Sequence, residues 1–543
     1  MSKSPLASPN PINAVKAIWR VCYVLVQYII IAIFKAPPPK SPDQPRHPYG
    51  RIAVIGAGLT GVSSAAHCIS HNFEVVIFEA APQSGLGGIW SHVNSTSGLQ
   101  LNSHLYRFHP AVLWRHAFPL RDEILGEITR IWKEYQLEPR TRFETPVTSV
   151  KKVESVSGSS HWLVNDGNEG PFDAVIVTVG TCGKPKWIHF EGMPKDVGEG
   201  ADSDSTETEQ TDVFTGPIIH SSDLDSDAVS EETIKDKKVV VIGSGASGVE
   251  AVETALQRGA GTVVMIARTD KWIIPRNIFF DTFLACQPFG REMPLSFLWE
   301  SFLKHWQYHG VTDLVPESGL FEGTPVVNDA FLGHVRNGAC KYVRGDPIRL
   351  TSSGVCANVR QRGSKSGSDG TEETIDADVV VLATGFEKPN ITFLDDSLFP
   401  EGYQRPDLYL QNFSTEDWSV LMTNSSYMSA IGTVGHFHIG MYTRILLTLL
   451  LDENARPSPK DMKLWVDAVR FMKRGAAGGP LGFFTYAELT IWLVMFHLLR
   501  PDRLRWLIFI MFGWGVHAKE GKSEESQGIP MERDRKEEVH RKI

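Results

Sequence analysis

The sequence predicts an α/β protein whose parallel sheets are covered by helices on both faces, with apolar segments added at each end. Three observations carry that prediction. Two segments, "IAVIGAGLTGVSSAA" (52–66) and "VVVIGSGASGVEA" (239–251), repeat one order: apolar strand, glycine-rich bend, small-residue helix. Two further runs, "DAVIVTVG" (173–180) and "ADVVVLATGF" (377–386), are apolar and β-branched without alternation, as strands buried on both faces require. Strands alternating with helical stretches then argue for parallel pairing.

In chain order, residues 1–48 come first. The apolar run "VCYVLVQYIIIAIF" (21–34) precedes the proline-rich "KAPPPKSPDQPRHP". The run falls short of the roughly 20 residues that span a bilayer. Extending it back to Ile12 takes in Lys16 and Arg20, whose charged ends can snorkel. The favoured reading is a membrane anchor; a buried or amphipathic helix is the alternative. A cleaved signal peptide fits poorly, because prolines stand where small cleavage-site residues belong.

The folded body begins at Tyr49. Residues 49–235 form the first domain, from the first strand–turn–helix–strand unit to an acidic insertion, 196–212, expected to be exposed and without fixed structure. Residues 236–375 form a second, inserted domain around the second unit, with "TVVMIA" as its next strand and a polar insertion, "RGSKSGSDGTEET" (362–374). Residues 376–480 return to the first domain. In 481–516, "LTIWLVMFHLL" and "WLIFIMFGWGV" flank "RPDRLR", where Pro501 argues against one continuous helix. A hairpin dipping into one leaflet and a buried helix pair both fit. The charged tail, 517–543, is expected to be solvated.

Bulk composition excludes more than it selects. With 42% hydrophobic and 22% charged residues, the chain is neither fibrous nor disordered as a whole. A net charge of −9 gives no general attraction for nucleic acid. The six cysteines lie far apart with no C-x-x-C, so no disulfide framework, metal site or dithiol redox centre is expected.

The glycine bends carry the chemistry. Gly56, Gly58 and Gly61, with Ala57, Leu59 and Thr60 between them, fill G-x-G-x-x-G. The first glycine permits the bend, the second lets a pyrophosphate approach the backbone, and the third lets helix and strand pack closely. Glu79 ends the following strand, where a carboxylate accepts hydrogen bonds from ribose hydroxyls. The second bend has Gly243, Gly245 and Gly248, with Ser244, Ala246 and Ser247, and Arg268 stands where the first unit has its glutamate. A guanidinium there suits the 2′-phosphate of NADPH; an exposed strand-end cation is the plainer alternative. Two dinucleotides of different preference suggest hydride transfer from NADPH to FAD.

With those motifs in hand, the sequence resembles the flavin-containing monooxygenases, the class B flavoprotein monooxygenases, from about residue 49 to 450. "LGGIW" (86–90), with Gly88, Ile89 and Trp90, is similar to the family's segment beside the flavin. "LNSH" (101–104) resembles its asparagine-containing stretch, which implies that Asn102 and Ser103 lie near the flavin and that Asn102 serves catalysis. "FTGPIIH" supplies the signature residues Phe214, Gly216 and His220, for which a structural role is expected over that of a general base. "DVVVLATGF" matches the closing strand and implies a flavin contact for Thr384. Leu224 departs from the aromatic residue usual at its position, which weakens a Baeyer–Villiger assignment, and the acidic insertion is atypical.

The resemblance implies two Rossmann-like dinucleotide-binding domains, the NADPH domain inserted in the FAD domain. It also implies a monooxygenase that uses NADPH and O2 to place one oxygen atom on a nucleophilic nitrogen or sulfur, or on carbon, of a small lipophilic substrate. Alternatives are Baeyer–Villiger oxidation of a ketone and cofactor binding without turnover. Membrane lipid is an expected partner through the terminal segments. The catalytic body is expected at the endoplasmic reticulum, facing the cytosol.

Overall fold

The computed structural model describes residues 11–516 apart from 42, 44–46, 105, 155–159, 195–196, 198–211, 278–295, 321, 324, 427–435 and 473–484. Most of the acidic insertion and all of the charged tail therefore lie outside the described residues.

Two sheets organise the molecule. The first has the order Val420–Leu421, Ala174–Val177, Arg51–Ile55, Glu74–Phe78, Thr141–Arg142, and every pairing is parallel. Its central strands are buried, as their unbroken apolar runs require. The second sheet runs Thr371–Asp376, Gly354–Val359, Cys340–Thr351, Thr262–Ala267, Lys238–Ile242, Val379–Leu382, Ile218–His220. It is parallel from Cys340–Thr351 onward and carries an antiparallel edge, into which the polar 362–374 stretch folds as part of a hairpin.

The predicted domain boundaries need correction here. Val379–Leu382, assigned to the returning part of the first domain, pairs with Lys238–Ile242 and belongs to the second sheet. Ile218–His220, assigned to the first domain, pairs with it on the other side. The reason is specific pairing at the strand ends. Asp378 Oδ2 accepts from the Lys238 amide at 2.8 Å, and the Ala383 amide donates to the Ile242 carbonyl at 2.9 Å. The two chain crossings between domains lie side by side. Gly183 N donates to Glu387 O at 2.7 Å, Glu387 N to Lys184 O at 2.8 Å, and Lys186 N to Gly385 O at 2.9 Å. The inserted domain thus runs from about Trp187 to Phe386.

Among the described residues no helix is long and apolar enough to cross a membrane. This corrects the spanning form of the anchor reading. The N-terminal run lies in a helix, Pro11–Phe34, that docks on the first domain: Tyr23 and Gln27, one turn apart, are buried. Trp19, on the same helix, is 66% exposed. The C-terminal segment forms a helix pair, Thr485–Leu498 and Arg505–Phe512, joined by a turn at Pro501–Leu504. Trp492, Trp506 and Phe509 enter the first domain's core, whereas Leu499 is 69% exposed. Both segments therefore split their apolar side chains between core and solvent.

The C-terminal pair is latched to the helix His436–Leu451. Arg444, fully inside, donates through Nε to Ile510 O at 2.8 Å and through Nη2 to Met511 O at 3.3 Å. Those carbonyls close the last turn of Arg505–Phe512 and have no following turn to bond. Replacing Arg444 by Met leaves them buried without a donor, a loss of about 1–3 kcal/mol. The expected outcome is faster limited proteolysis within 499–516 in Arg444→Met, read by mass spectrometry, while the cores of the two sheets stay protected.

Candidate nucleotide sites and the domain junction

Each glycine bend has the geometry its spacing predicts. Gly56 has φ +103° and Gly243 φ +120°, left-handed conformations in which a side chain would be strained. A Cβ on Gly61 would lie 1.9 Å from Gly56 O, and one on Gly248 would lie 2.1 Å from Gly243 O. Only glycine allows helix and strand to approach so closely. The middle glycines differ. A Cβ on Gly245 would meet nothing within 4 Å, and the nearest atom at Gly58 is Gly88 Cα at 3.8 Å. Open backbone at that point is what a pyrophosphate needs. Gly58 and Gly245 are also the N-caps of Leu59–Ser70 and Ala246–Gln257, and neither helix has a side-chain cap. The first-turn amides are left for an anion, with the helix dipole favouring it.

The strand-tip residues sit where expected, with partners of their own. Glu79 accepts from the Ala57 amide at 2.6 Å and from the Ala81 amide at 2.9 Å, so its carboxylate borders the bend itself. Arg268 follows Thr262–Ala267; its side chain is 63% exposed, with Asp346 Oδ1 at 3.8 Å from Nε. Asp346 is held more tightly by the buried Arg360, whose Nε lies 2.9 Å away, and Arg360 also donates to Arg268 O at 2.7 Å. Ser244 Oγ donates to Thr269 O at 2.8 Å, tying the second bend to the same strand end. Ala246 opens the second helix and Ser247 follows it.

The segment after the first unit wraps its bend. Gly88, Ile89 and Trp90 lie in a short 3₁₀ turn, and Gly87 N donates to Ala57 O at 3.1 Å. Asn102 and Ser103 are buried; Asn102 Oδ1 accepts from His104 N at 3.0 Å, and Ser103 N donates to Ala117 O at 2.8 Å. Thr384, expected against the flavin, stands beside the second bend, where its hydroxyl donates to Lys186 O at the crossing. The preceding Ala383 packs on Gly243. Its strand belongs to the second sheet.

Phe214 and His220 are buried, and Gly216 packs against the Phe214 ring. A Cβ on Gly216 would come 2.2 Å from Asp378 O and 2.7 Å from the Phe214 ring. His220 Nδ1 accepts from Ser222 N at 3.2 Å, which leaves Nε2 to donate to Gly385 O at 3.0 Å. Burial lowers its pKa, so the ring is neutral near pH 7 and tied to the crossing. Both ring nitrogens are thus engaged by protein groups.

Several residues at the junction carry no motif. Asn94 donates to Ser221 O at 2.6 Å, Ser95 N to Asp225 at 2.6 Å, Thr96 meets Thr254 at 2.6 Å, and Ser97 donates to Glu250 at 2.8 Å. Thr96 and Ser97 of the first domain thus lie directly on the second nucleotide helix, and Asn94 and Ser95 on the segment after His220. Asn424 Nδ2 donates to Thr60 Oγ1 at 2.9 Å across the first bend. No local sequence signal marks these contacts, since each is made by residues distant in the chain. Among the described residues no cluster suits a metal ion and the cysteines are free thiols.

Two dinucleotide-binding units joined by a paired crossing, one insertion inside the other, define an α/β protein of the two-dinucleotide flavoprotein class. Comparison with known proteins gives the family. The family model for flavin-binding monooxygenase-like proteins matches residues 49–434, and the chain belongs to that family. It is 26% identical over 405 residues to Flavin-containing monooxygenase 5 of Homo sapiens, which covers 66% of this chain and 68% of that one. An uncharacterized monooxygenase, y4iD, of Sinorhizobium fredii is 27% identical over 240 residues. That match covers 43% of this chain and spans only 32% of the relative's length. A Baeyer-Villiger monooxygenase of Pseudomonas aeruginosa is 27% identical over 235 residues, covering 42% and 39%. Among solved structures, an oxidized steroid monooxygenase bound to NADP superposes with a TM-score of 0.58 at 17% identity, over 82% of this chain and 97% of that one. OTEMO in complex with FAD and NADP gives 0.57 at 18%, over 79% and 90%. Those two likenesses establish the fold.

Glu250 makes the junction sensitive to pH. Burial pushes its carboxyl up to about 7, against the hydrogen bond from Ser97 and the charge of Arg276, while Glu253 pushes the same way as burial. The folded value lies above that of an exposed glutamate. As pH rises from about 4.5 to 7 the unfolded chain loses this proton first, so Glu250's contribution to stability falls across that window and levels off above it. Glu250→Gln keeps an acceptor for Ser97 and removes the titration. The expected outcome is that the thermal midpoint of wild type falls relative to Glu250→Gln between pH 5 and 7.5, measured by scanning fluorimetry across that range.

Proposed function

We propose that the chain is an NADPH- and O2-dependent flavin monooxygenase that places one oxygen atom on a nitrogen or sulfur centre of a small lipophilic substrate. The observation that carries this reading is the pair of uncapped glycine bends with unlike tips, Glu79 on one and Arg268 on the other, joined by one polar junction. The residues fit the groups they would hold. Gly56–Gly61, Glu79 and Gly88–Trp90 would hold FAD; Gly243–Gly248 and Arg268 would hold NADPH. Bound FAD supplies a two-electron carrier that takes hydride from NADPH and activates O2.

The chain's own part is placement and exclusion. The helix amides neutralise pyrophosphate charge. Arg268 gives the 2′-phosphate a charge-assisted partner in place of Asp346. Asn102 and Ser103, buried on the first-domain side of the junction, would order the cofactor face and keep water from it. Ketone oxidation is the second reading, favoured by the Pseudomonas relative; Leu224 in the signature argues against it.

The test is reconstitution with FAD followed by NADPH-dependent O2 uptake with a tertiary amine, a thioether and a cyclic ketone as separate substrates. N-oxide or sulfoxide supports the reading, lactone favours the ketone reading, and a chain that takes up no FAD overturns both. Arg268→Glu places a carboxylate where the 2′-phosphate would bind. The expected outcome is a rise of at least tenfold in KM for NADPH with little change for NADH, read in steady-state kinetics.

We also propose that the body rests on a membrane surface without crossing it, on the cytosolic side of the endoplasmic reticulum where NADPH is supplied. Support comes from exposed apolar side chains on both terminal segments, including Trp19, Leu25 and Ile29 on one and Leu498, Leu499 and Trp514 on the other. The segments meet where Trp514 Nε1 donates to Ile33 O at 2.9 Å and Phe34 stacks on Phe512. Flotation with neutral phosphatidylcholine vesicles checks this. Wild type is expected to float, and Leu25→Glu/Leu499→Glu to remain in the soluble fraction.

A further inference from the structure

The N-terminal helix precedes the matched family region, which begins at residue 49, and its buried face has a use that anchoring does not explain. Tyr23 OH lies 2.5 Å from Ser103 Oγ and donates to His116 O at 2.8 Å. Ser103 Oγ reaches the same carbonyl at 3.2 Å. The Tyr23 ring packs against His104 with centroids 4.3 Å apart. One turn on, Gln27 is entirely buried. Its amide donates to Trp114 O at 2.8 Å, and its oxygen accepts from Trp114 N at 2.7 Å and Arg107 Nη1 at 3.0 Å. The base of the 101–116 loop is thus held by side chains from outside its own domain's sheet and helices.

That loop is well placed to matter. Ser63, in the first nucleotide helix, donates to Phe108 O. At its other end the segment continues from residues 94–97, of which Thr96 and Ser97 bond the second nucleotide helix. Four residues lie between Ser97 and Asn102, at most about 18 Å of chain. The loop therefore bridges the two nucleotide units, and Asn102 and Ser103 sit between a fixed junction and a fixed helix.

We propose that Tyr23 is a positioning residue: through its hydroxyl it sets the Asn102–Ser103 loop, and through that loop the cofactor face between the two domains. The proposal deepens the monooxygenase reading and rests on it for the cofactor; the loop itself is a matter of this chain's geometry alone. A helix outside the nucleotide domains then forms part of the active-site wall, and its solvent-facing apolar side lies opposite the residues that hold the loop.

The test uses the full chain as wild type, Tyr23→Phe and a control, Tyr28→Phe, whose side chain is on the exposed face. Hydrogen exchange on the protein without added cofactor reads the loop. Tyr23→Phe is expected to speed exchange of the Ser103 and His104 amides at least fivefold, and Tyr28→Phe to leave it unchanged. After FAD loading, the visible circular dichroism of the bound flavin and the peroxide released per NADPH read the cofactor face. Tyr23→Phe is expected to alter the first and at least double the second, at unchanged FAD occupancy. Should Tyr23→Phe not fold, Ser103→Ala removes the same contact from the other side and is expected to move both readouts in the same directions. Unchanged exchange overturns the proposal. Faster exchange with an unchanged flavin signal also overturns it, because Tyr23 then only holds the fold. A chain that binds no FAD defeats the monooxygenase reading, and the exchange result alone then decides whether Tyr23 sets the loop.

Discussion

The close approach of helix to strand at each glycine bend is the constraint on which the rest of this molecule depends. Gly61 and Gly248 place helix backbone where any Cβ would overlap a carbonyl oxygen, at 1.9 and 2.1 Å. That contact points each uncapped helix N-terminus at the end of its sheet, where partial positive charge and unpaired amides collect. The neighbouring strand then ends within reach of the same spot, with Glu79 at one tip and Arg268 at the other. Glu79 already borders the Ala57 amide, and Arg268 is steadied from behind by Arg360 and Asp346. Without the glycine contact, neither tip would face a binding surface.

The junction between the domains is built from small polar groups rather than a broad apolar seam. Asn94, Thr96 and Ser97 meet Ser221, Thr254 and Glu250, and the two crossings pair as a short antiparallel ladder. Interfaces of this kind permit relative domain motion more readily than large hydrophobic ones. The ladder limits that motion to what two adjacent strands allow. His220, neutral and bonded to Gly385 O, stiffens the point where the ladder enters the second sheet. The signature for which a structural role was expected thus lies at the crossing, with its histidine bonded into it.

What could be read from the sequence was what local chemistry dictates. G-x-G-x-x-G specifies its own bend, helix and approach, so both nucleotide units were legible with their tip residues. Sheet membership was not. "DVVVLATGF" is apolar throughout, and a strand buried on both faces carries no mark of which sheet buries it; only the pairing of Asp378 with Lys238 decides. Glu250, Arg360 and Asn424 were invisible for a related reason, since each acts on a residue far away in the chain. The apolar run at the N-terminal end hid its spanning or docked nature in another way. Tyr23 and Gln27, set four residues apart in "VCYVLVQYIIIAIF", are the polar contacts that a membrane-crossing helix would have to give up, and they stand in plain view within a run dominated by its apolar neighbours.

The two ends of the chain act on one helix of the first domain from opposite directions. The N-terminal helix reaches the 101–116 loop, and that loop bonds Ser63 in the middle of Leu59–Ser70. The C-terminal segment reaches the far end of the same helix, where His71 Nδ1 lies 2.7 Å from Val516 O; Arg444, on the helix His436–Leu451 to which the C-terminal pair is latched, brings Nη1 to 3.5 Å from His67. His67 and His109 are buried and held well below the usual histidine range, chiefly by burial, so Arg444 faces neutral rings rather than competing charges. The helix that presents the first bend to its ligand is thus clamped at its middle and its end by segments that the nucleotide fold does not itself require. Interiors this closely packed transmit strain, so both terminal segments bear on the helix that begins beside Gly58. The terminal segments thus belong to the support of the first bend as much as to the surface they expose.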